Sequence, residues 1–310
     1  MKVTVLYGGP SAEREVSLVS GKAVIDALKK AGHAVFASDV SPTDLAGLNH
    51  PCDVIFPVLH GQFGESGELQ EILEARRVPF VGSGSVASRL GMDKVETKLA
   101  WERVGLPTPP WSVATRNPPG SVRGPNRIAA PCVVKPIDSG SSIDVCICKT
   151  ETDARKACDE LLRKHGQVLI EKYIKGVELT VAILEEKPLA PIKITTSHTF
   201  FDYQAKYVGN DARHEFDLGL PNNVVAEVKE LARRAHATVG CRDLSRVDIM
   251  LDEQHQPFLL EINTMPGFTS KSLLPEAAAH GGIDFVSLVD RLVKRAFERG
   301  PSLEATSTAA

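Results

Sequence analysis

A chain of 310 residues is long enough for two or three domains, and 43% apolar with 24% charged residues is the balance of an ordinary globular protein. A net charge of −3 gives no electrostatic reason to expect nucleic acid or an anionic membrane as a partner. No apolar run is long enough to span a bilayer, the opening MKVTVLYGG lacks the features of a signal peptide, and six cysteines without a CxxC pair read as small core residues; a cytoplasmic protein is expected.

In chain order, residues 2–7 form a β-type run that ends at Gly8-Gly9, and 11–32 read as a helix with Val16, Val19, Ala23 and Ala27 at helical spacing. Strands follow at 35–40 and 53–61, a helix at about 67–77, and a short strand at 79–83. Strands alternating with helices predict a small parallel α/β, Rossmann-like domain over residues 1–90. Asp93 caps the next helix, with Glu96 three residues on. The Pro- and Gly-rich stretch 115–126 reads as a loop. Strands at 132–136, 143–149 and 167–174, with a helix at about 152–164, complete a second, α+β unit over 91–176. The third unit, 177–310, holds strands at 178–184, 193–198, 246–252 and 257–263 and amphipathic helices at 222–240 and 285–300. Residues 200–220 are polar and long for a loop, which suggests a functional lid, and the last residues read as a disordered tail.

The densest chemistry lies in S-R-V-D-I-M and L-L-E-I-N near the C-terminus. Residues two apart in a strand share a face, so Arg246 pairs with Asp248 and Glu261 with Asn263 in direction. Should the two strands pair, three hard oxygen donors meet beside a guanidinium, a set suited to Mg²⁺; an ion pair of Arg246 with one of the carboxylates is the other reading. Gly267, in T-M-P-G-F, either donates its N–H to an oxyanion or makes a plain turn, and Ser270, Lys271 and Ser272 could hold a carboxylate. Lys94 and Lys135 are candidate phosphate ligands. Lys135 ends a strand beside D-S-G-S-S, where Gly140, Ser141 and Ser142 offer donors; a solvated lysine and turn is the alternative. The strand V-L-I-E-K-Y-I then K-G-V-E resembles an adenine-binding linker. There the main chain of Lys172, Tyr173 and Ile174 would face the base and Glu178 the ribose.

Taken together and in this order, these motifs resemble the ATP-grasp fold. G-G-P-S-A-E-R-E-V-S at 8–17, L-H-G-Q-F-G-E at 59–65, F-D-Y-Q-A-K-Y at 201–207 and N-T-M-P-G-F-T-S-K-S-L at 263–273 are similar to the motifs of the D-alanine:D-alanine ligase family, from about residue 1 to 299. The resemblance implies ATP-dependent ligation of two D-alanines through an acyl phosphate, for peptidoglycan. Glu13 would bind the first ammonium, His60 would sit near that amino acid's carboxylate, and Val16 and Ser17 would line the same subsite. Lys94, Lys135 and the lid's Lys206 would hold phosphates. Glu171, Phe200 and Leu260 would surround the nucleotide. Asp248, Glu261 and Asn263 would hold two Mg²⁺, or Mn²⁺. Ser272 and Leu273 would receive the second D-alanine. Tyr207 would close over the site toward Ser141 and Glu13, and Arg246 with Gly267 would stabilise the oxyanion. A homodimer is also implied. A ligase using D-serine or D-lactate second, or a weakly active nucleotide-binding homologue, are the alternatives.

Three positions depart from the family pattern. Ser139 replaces a glutamate, Asp144 a glycine, and Gln204 a glutamate. A carboxylate about 4 Å from a phosphate costs on the order of 1 kcal/mol in water and about 4 kcal/mol at an effective dielectric of 20, so Asp144 is expected to weaken ATP binding without abolishing it.

Overall fold

The computed structural model describes residues 1–116, 121–123, 128–140, 143–196 and 212–301. Ser141, Ser142, Phe200, Gln204, Lys206 and Tyr207 lie outside them, as do most of the expected lid and the C-terminal tail. Among the described residues the chain makes three sheets, and no helix there is long and apolar enough to cross a membrane.

The first sheet is parallel, in the order β2-β1-β3, from β1 (Lys2–Tyr7), β2 (Ala34–Asp39) and β3 (Val54–Pro57). Val3, Val5, Val54 and Phe56 are buried, as near-continuous apolar strands of a parallel sheet must be. Helix α1 (Arg14–Lys30) makes the crossover from β1 to β2. After α2 (Glu68–Ala75), the strand expected at 79–83 is reduced to a single bridge between Phe80 and Ile55. A helix that sequence periodicity does not mark, α3 (Ser85–Met92), follows. Its buried face is Ser85, Ala87, Ser88 and Gly91, small rather than apolar, so no hydrophobic stripe announces it. The small face permits close packing: a Cβ on Gly91 would stand 2.8 Å from Thr264 Cγ2.

Helix α4 (Lys94–Arg103) starts where expected, with Asp93 Oδ1 accepting from the N–H groups of Val95 and Glu96 at 2.9 and 3.0 Å. The central sheet runs β5-β4-β8-β6-β7, from β4 (Trp111–Thr115), β5 (Ser121–Arg123), β6 (Cys132–Pro136), β7 (Cys146–Cys148) and β8 (Gln167–Lys172). β5 falls inside the stretch expected to be loop, paired antiparallel to β4. Helix α5 (Glu151–His165) covers this sheet, opened by a Thr150–Asp153 capping box and closed by Gly166 in the left-handed region.

The third sheet runs β12-β11-β9-β13-β14, with β10 (Lys187–Pro188) on β9. Its strands are β9 (Gly176–Leu184), β11 (Ile192–Thr196), β12 (Ala212–Glu215), β13 (Leu244–Asp252) and β14 (Pro257–Asn263). Helices α6 (Asn222–Val239), α7 (Leu273–His280) and α8 (Phe285–Arg299) complete it. Val3, Val24, Leu28 and Phe56 of the first unit share one apolar core with Leu274, Leu288, Leu292 and Val293 from α7 and α8. The six cysteines are free thiols.

Phe268 joins these units beside the loop after β14. It is fully buried, edge-on to Phe56 with ring centroids 5.3 Å apart, and its N–H donates to Ser20 Oγ at 3.3 Å. Phe268→Ala is expected to lower unfolding free energy by about 3–5 kcal/mol, the usual cost of emptying an aromatic core site, measured by urea denaturation.

Candidate active site

Strand pairing builds one wall of a cleft. β13 and β14 run antiparallel with Arg246 opposite Asn263 and Asp248 opposite Glu261. A bulge follows Asp248, so Leu260 is the extra residue on β14 and sits, like Glu261, at a part-buried position. Arg246 Nε and Nη2 donate to the two Asp248 oxygens at 2.9 and 2.8 Å, and Thr180 Oγ1 donates to Oδ1 at 2.6 Å. The ion pair and the paired carboxylates, alternatives in the sequence, are therefore both present. Glu261 lies 3.5 Å from the Lys94 ammonium, and Asn263 Oδ1 accepts from the Met265 N–H at 2.9 Å. Among the described residues no three carboxylate, imidazole or thiolate groups converge as a closed metal cage. Two carboxylates on adjacent strands plus one amide oxygen form instead an open, hard-oxygen set. That fits a Mg²⁺ completing its shell with water and phosphate oxygens.

The opposite wall comes from the first unit. Glu13, immediately before α1, is 9% exposed and lines the cleft with Val16, His60 and Glu65. A Cβ on Gly61 would stand 3.0 Å from a Glu13 oxygen, and one on Gly140 3.4 Å from it, so both backbones close on this carboxylate. Ser17 is not part of the lining: its hydroxyl accepts from the Gly8 N–H at 2.8 Å and donates to the Val58 carbonyl at 2.5 Å, tying α1 to β1 and β3. His60 is buried, and burial pulls it down to about 4, so the ring is neutral near pH 7. Its Nδ1–H donates to the Met265 carbonyl at 3.1 Å. Nε2 is left presenting a lone pair, without a hydrogen-bond partner among the described residues. In this state it suits an ammonium; a carboxylate would be met only after it takes up a proton.

Glu65, the last residue of L-H-G-Q-F-G-E, also lines the cleft. It is buried, accepts from the Gly61 N–H at 2.5 Å, and is pushed up to about 8 by burial and then by Glu13. The folded state thus keeps a proton that the unfolded chain releases near pH 4.5. Stability from this group is full below that pH and is lost as pH rises through about 8. In thermal melts from pH 5 to 9, Glu65→Gln should fall less in Tm with rising pH than wild type; parallel curves contradict this.

Lys94, Lys98 and Lys135 are all buried. Lys94 Nζ donates to the Ser139 carbonyl at 2.6 Å, so the residue in the glutamate position contributes its backbone. Lys135 is 7% exposed and pairs with Glu171 at 2.5 Å, which removes the solvated-lysine alternative. Burial works against its charge, but Glu171, Glu261 and Glu178 outweigh burial and raise it. Lys98, unassigned in the sequence, meets the other Glu171 oxygen. In the linker, the Lys172 and Tyr173 N–H groups donate to the Pro110 and Pro131 carbonyls at 2.8 and 3.1 Å. An adenine edge must therefore be met by the linker's carbonyls or by Ile174. Gly267, Ser272 and Leu273 line the far end of the cleft with Lys271, and a Cβ on Gly267 would come 3.0 Å from Ser272 Oγ.

Asp144 has φ +59°, the left-handed conformation natural to a glycine. Its carboxylate holds Lys164 and, at 2.7 Å, His165 Nε2 at the end of α5. Burial would raise it, yet these partners hold it below the usual carboxylate range. The charge expected to repel phosphate is thus largely compensated. Asp144→Gly should change the ATP KM by no more than about threefold in steady-state kinetics, well short of the uncompensated cost.

Family models described as D-ala D-ala ligase N-terminus and C-terminus match residues 37–83 and 100–294. The chain is 43% identical over 289 residues to D-alanine--D-alanine ligase of Pseudomonas entomophila, covering 93% of this chain and 91% of that one. It is 40% identical over 294 residues to the Anaeromyxobacter sp. (strain K) protein of the same name, covering 94% and 96%. The crystal structure of D-alanine--D-alanine ligase from Bacillus anthracis superposes with a TM-score of 0.84 at 31% identity, covering 96% of this chain and 98% of that one. The same enzyme complexed with ATP gives 0.82 at 29% identity, with the same coverage.

Proposed function

The chain belongs to the D-alanine–D-alanine ligase family, and from that premise we propose that it uses ATP to join two D-alanines into D-alanyl-D-alanine for peptidoglycan precursors. The observation that carries this is the pairing of Asp248 with Glu261 in one cleft with Glu13, Lys94 and Arg246.

The chemistry follows from leaving groups. A carboxylate cannot be attacked directly by an amine, because the departing group would be oxide. Transfer of the ATP γ-phosphate to the first D-alanine's carboxylate gives an acyl phosphate, whose phosphate leaves readily. Glu13, with the His60 lone pair nearby, holds the ammonium of that first D-alanine. Lys94 and Lys135 neutralise charge on the phosphates. Bound at Asp248, Glu261 and Asn263, Mg²⁺ would supply further charge neutralisation. The second D-alanine lies toward Ser272 and Leu273, and its neutral amine attacks the carbonyl carbon. Arg246 and the Gly267 N–H face the developing oxyanion. Lid closure over residues 200–220, with Phe200, Lys206 and Tyr207, would exclude water from the acyl phosphate. Two Mg²⁺, a homodimer and a cytoplasmic location belong to the same proposal.

The test is ADP release by the purified protein with Mg²⁺. It should depend on D-alanine and yield the dipeptide; no ADP at any D-alanine concentration contradicts the proposal, and preferred use of D-serine or D-lactate would change the second substrate. Arg246→Met should lower kcat by about 10²-fold or more, as loss of an oxyanion donor does, with a melting curve recorded alongside to confirm folding.

A further inference from the structure

Helix α4 presents two lysines one turn apart, Lys94 and Lys98. Only the first has a place in the reaction described above. Lys98 is 0% exposed, and an ammonium in that setting must be matched by carboxylate and hydrogen bonds. It meets Glu171 and Thr108 Oγ1, and Thr108 Oγ1 in turn donates to the Leu259 carbonyl at 2.9 Å. The second Glu171 oxygen is taken by Lys135. One buried carboxylate is therefore shared by two buried ammonium groups, and these three groups alone sum to +1, with Glu261 and Glu178 acting on Lys135 from further off.

We propose that Lys98 is a positioning residue for nucleotide binding: by neutralising Glu171 from behind, it leaves the charge of Lys135 available to the phosphates. The inference rests on the ligase reading. Without Lys98, the Lys135–Glu171 pair is electrically closed, and its pull on an anion falls from that of an ion to that of a dipole. The groups facing Lys98 are Glu171, Lys135 and Glu102, and burial together with Lys135 lowers its ammonium to about 8 against the pull of the two carboxylates. Neutral Lys98 is thus reached within ordinary assay conditions, and the folded enzyme should lose ATP affinity as pH rises past 8.

The experiment compares wild type, Lys98→Met, Glu171→Gln and the double variant in the full-length enzyme, with ATP and D-alanine KM measured from pH 6.5 to 9.5. Lys98→Met should raise the ATP KM about tenfold or more while the D-alanine KM stays within about twofold. It should also remove the rise in ATP KM above pH 8. Adding Glu171→Gln to Lys98→Met returns the count to +1, with Lys135 as the sole charge, and should recover ATP affinity relative to Lys98→Met alone. A merely structural lysine would not show that recovery, since the double variant lacks more native contacts than the single. An unchanged ATP KM in Lys98→Met, or a double variant weaker than the single, overturns the proposal while leaving the ligase reading intact. A wild type that releases no ADP with D-alanine overturns both.

Discussion

The pairing register of two antiparallel strands governs everything in the cleft. Because side chains alternate, a slip of one residue between β13 and β14 would turn Glu261 and Asn263 away from Asp248 and Arg246 together. The register is held by burial: Val247, Ile249, Leu251, Leu259 and Ile262 fill the opposite face and leave no other alignment that keeps them dry. The hydrophobic core under the sheet therefore fixes the polar site above it. The bulge at Leu260 is the local departure that keeps Glu261 on the cleft side.

Around that wall, charge is balanced pair by pair. Asp248 answers Arg246, Glu261 answers Lys94, and Glu171 answers Lys98 and Lys135. Glu171 is shared by two lysines, whereas Glu13 on the other wall of the cleft stands beside a Glu65 that keeps its proton up to about 8. Protonation of Glu65 keeps two neighbouring carboxyls from repelling each other.

Much of this was legible in the sequence. The two-residue periodicity of R-x-D and E-x-N placed four groups on strand faces, and Asp93 announced α4 through its cap. What was not legible depends on contacts distant in the chain. Lys98 looks like any helix-surface lysine until Glu171 and Thr108 are folded against it. Asp144 reads as an intrusive charge until α5 returns to meet it. Helix α3 buries small residues and so leaves no apolar rhythm, while β5 sits in a stretch whose prolines and glycines argue for a loop. Ser17 matched a motif, but its hydroxyl is used in joining α1 to the sheet rather than in the cleft.

The shared core of the first sheet and the last helix has a consequence for biosynthesis. Leu288, Leu292 and Val293 of α8 cover apolar side chains contributed by β1, β3 and α1, and Asp290 closes on His33 at 2.8 Å. β1 and β3 leave the ribosome before α8 does, so the first sheet must be carried in an incomplete state, with oily surface uncovered, until α8 emerges.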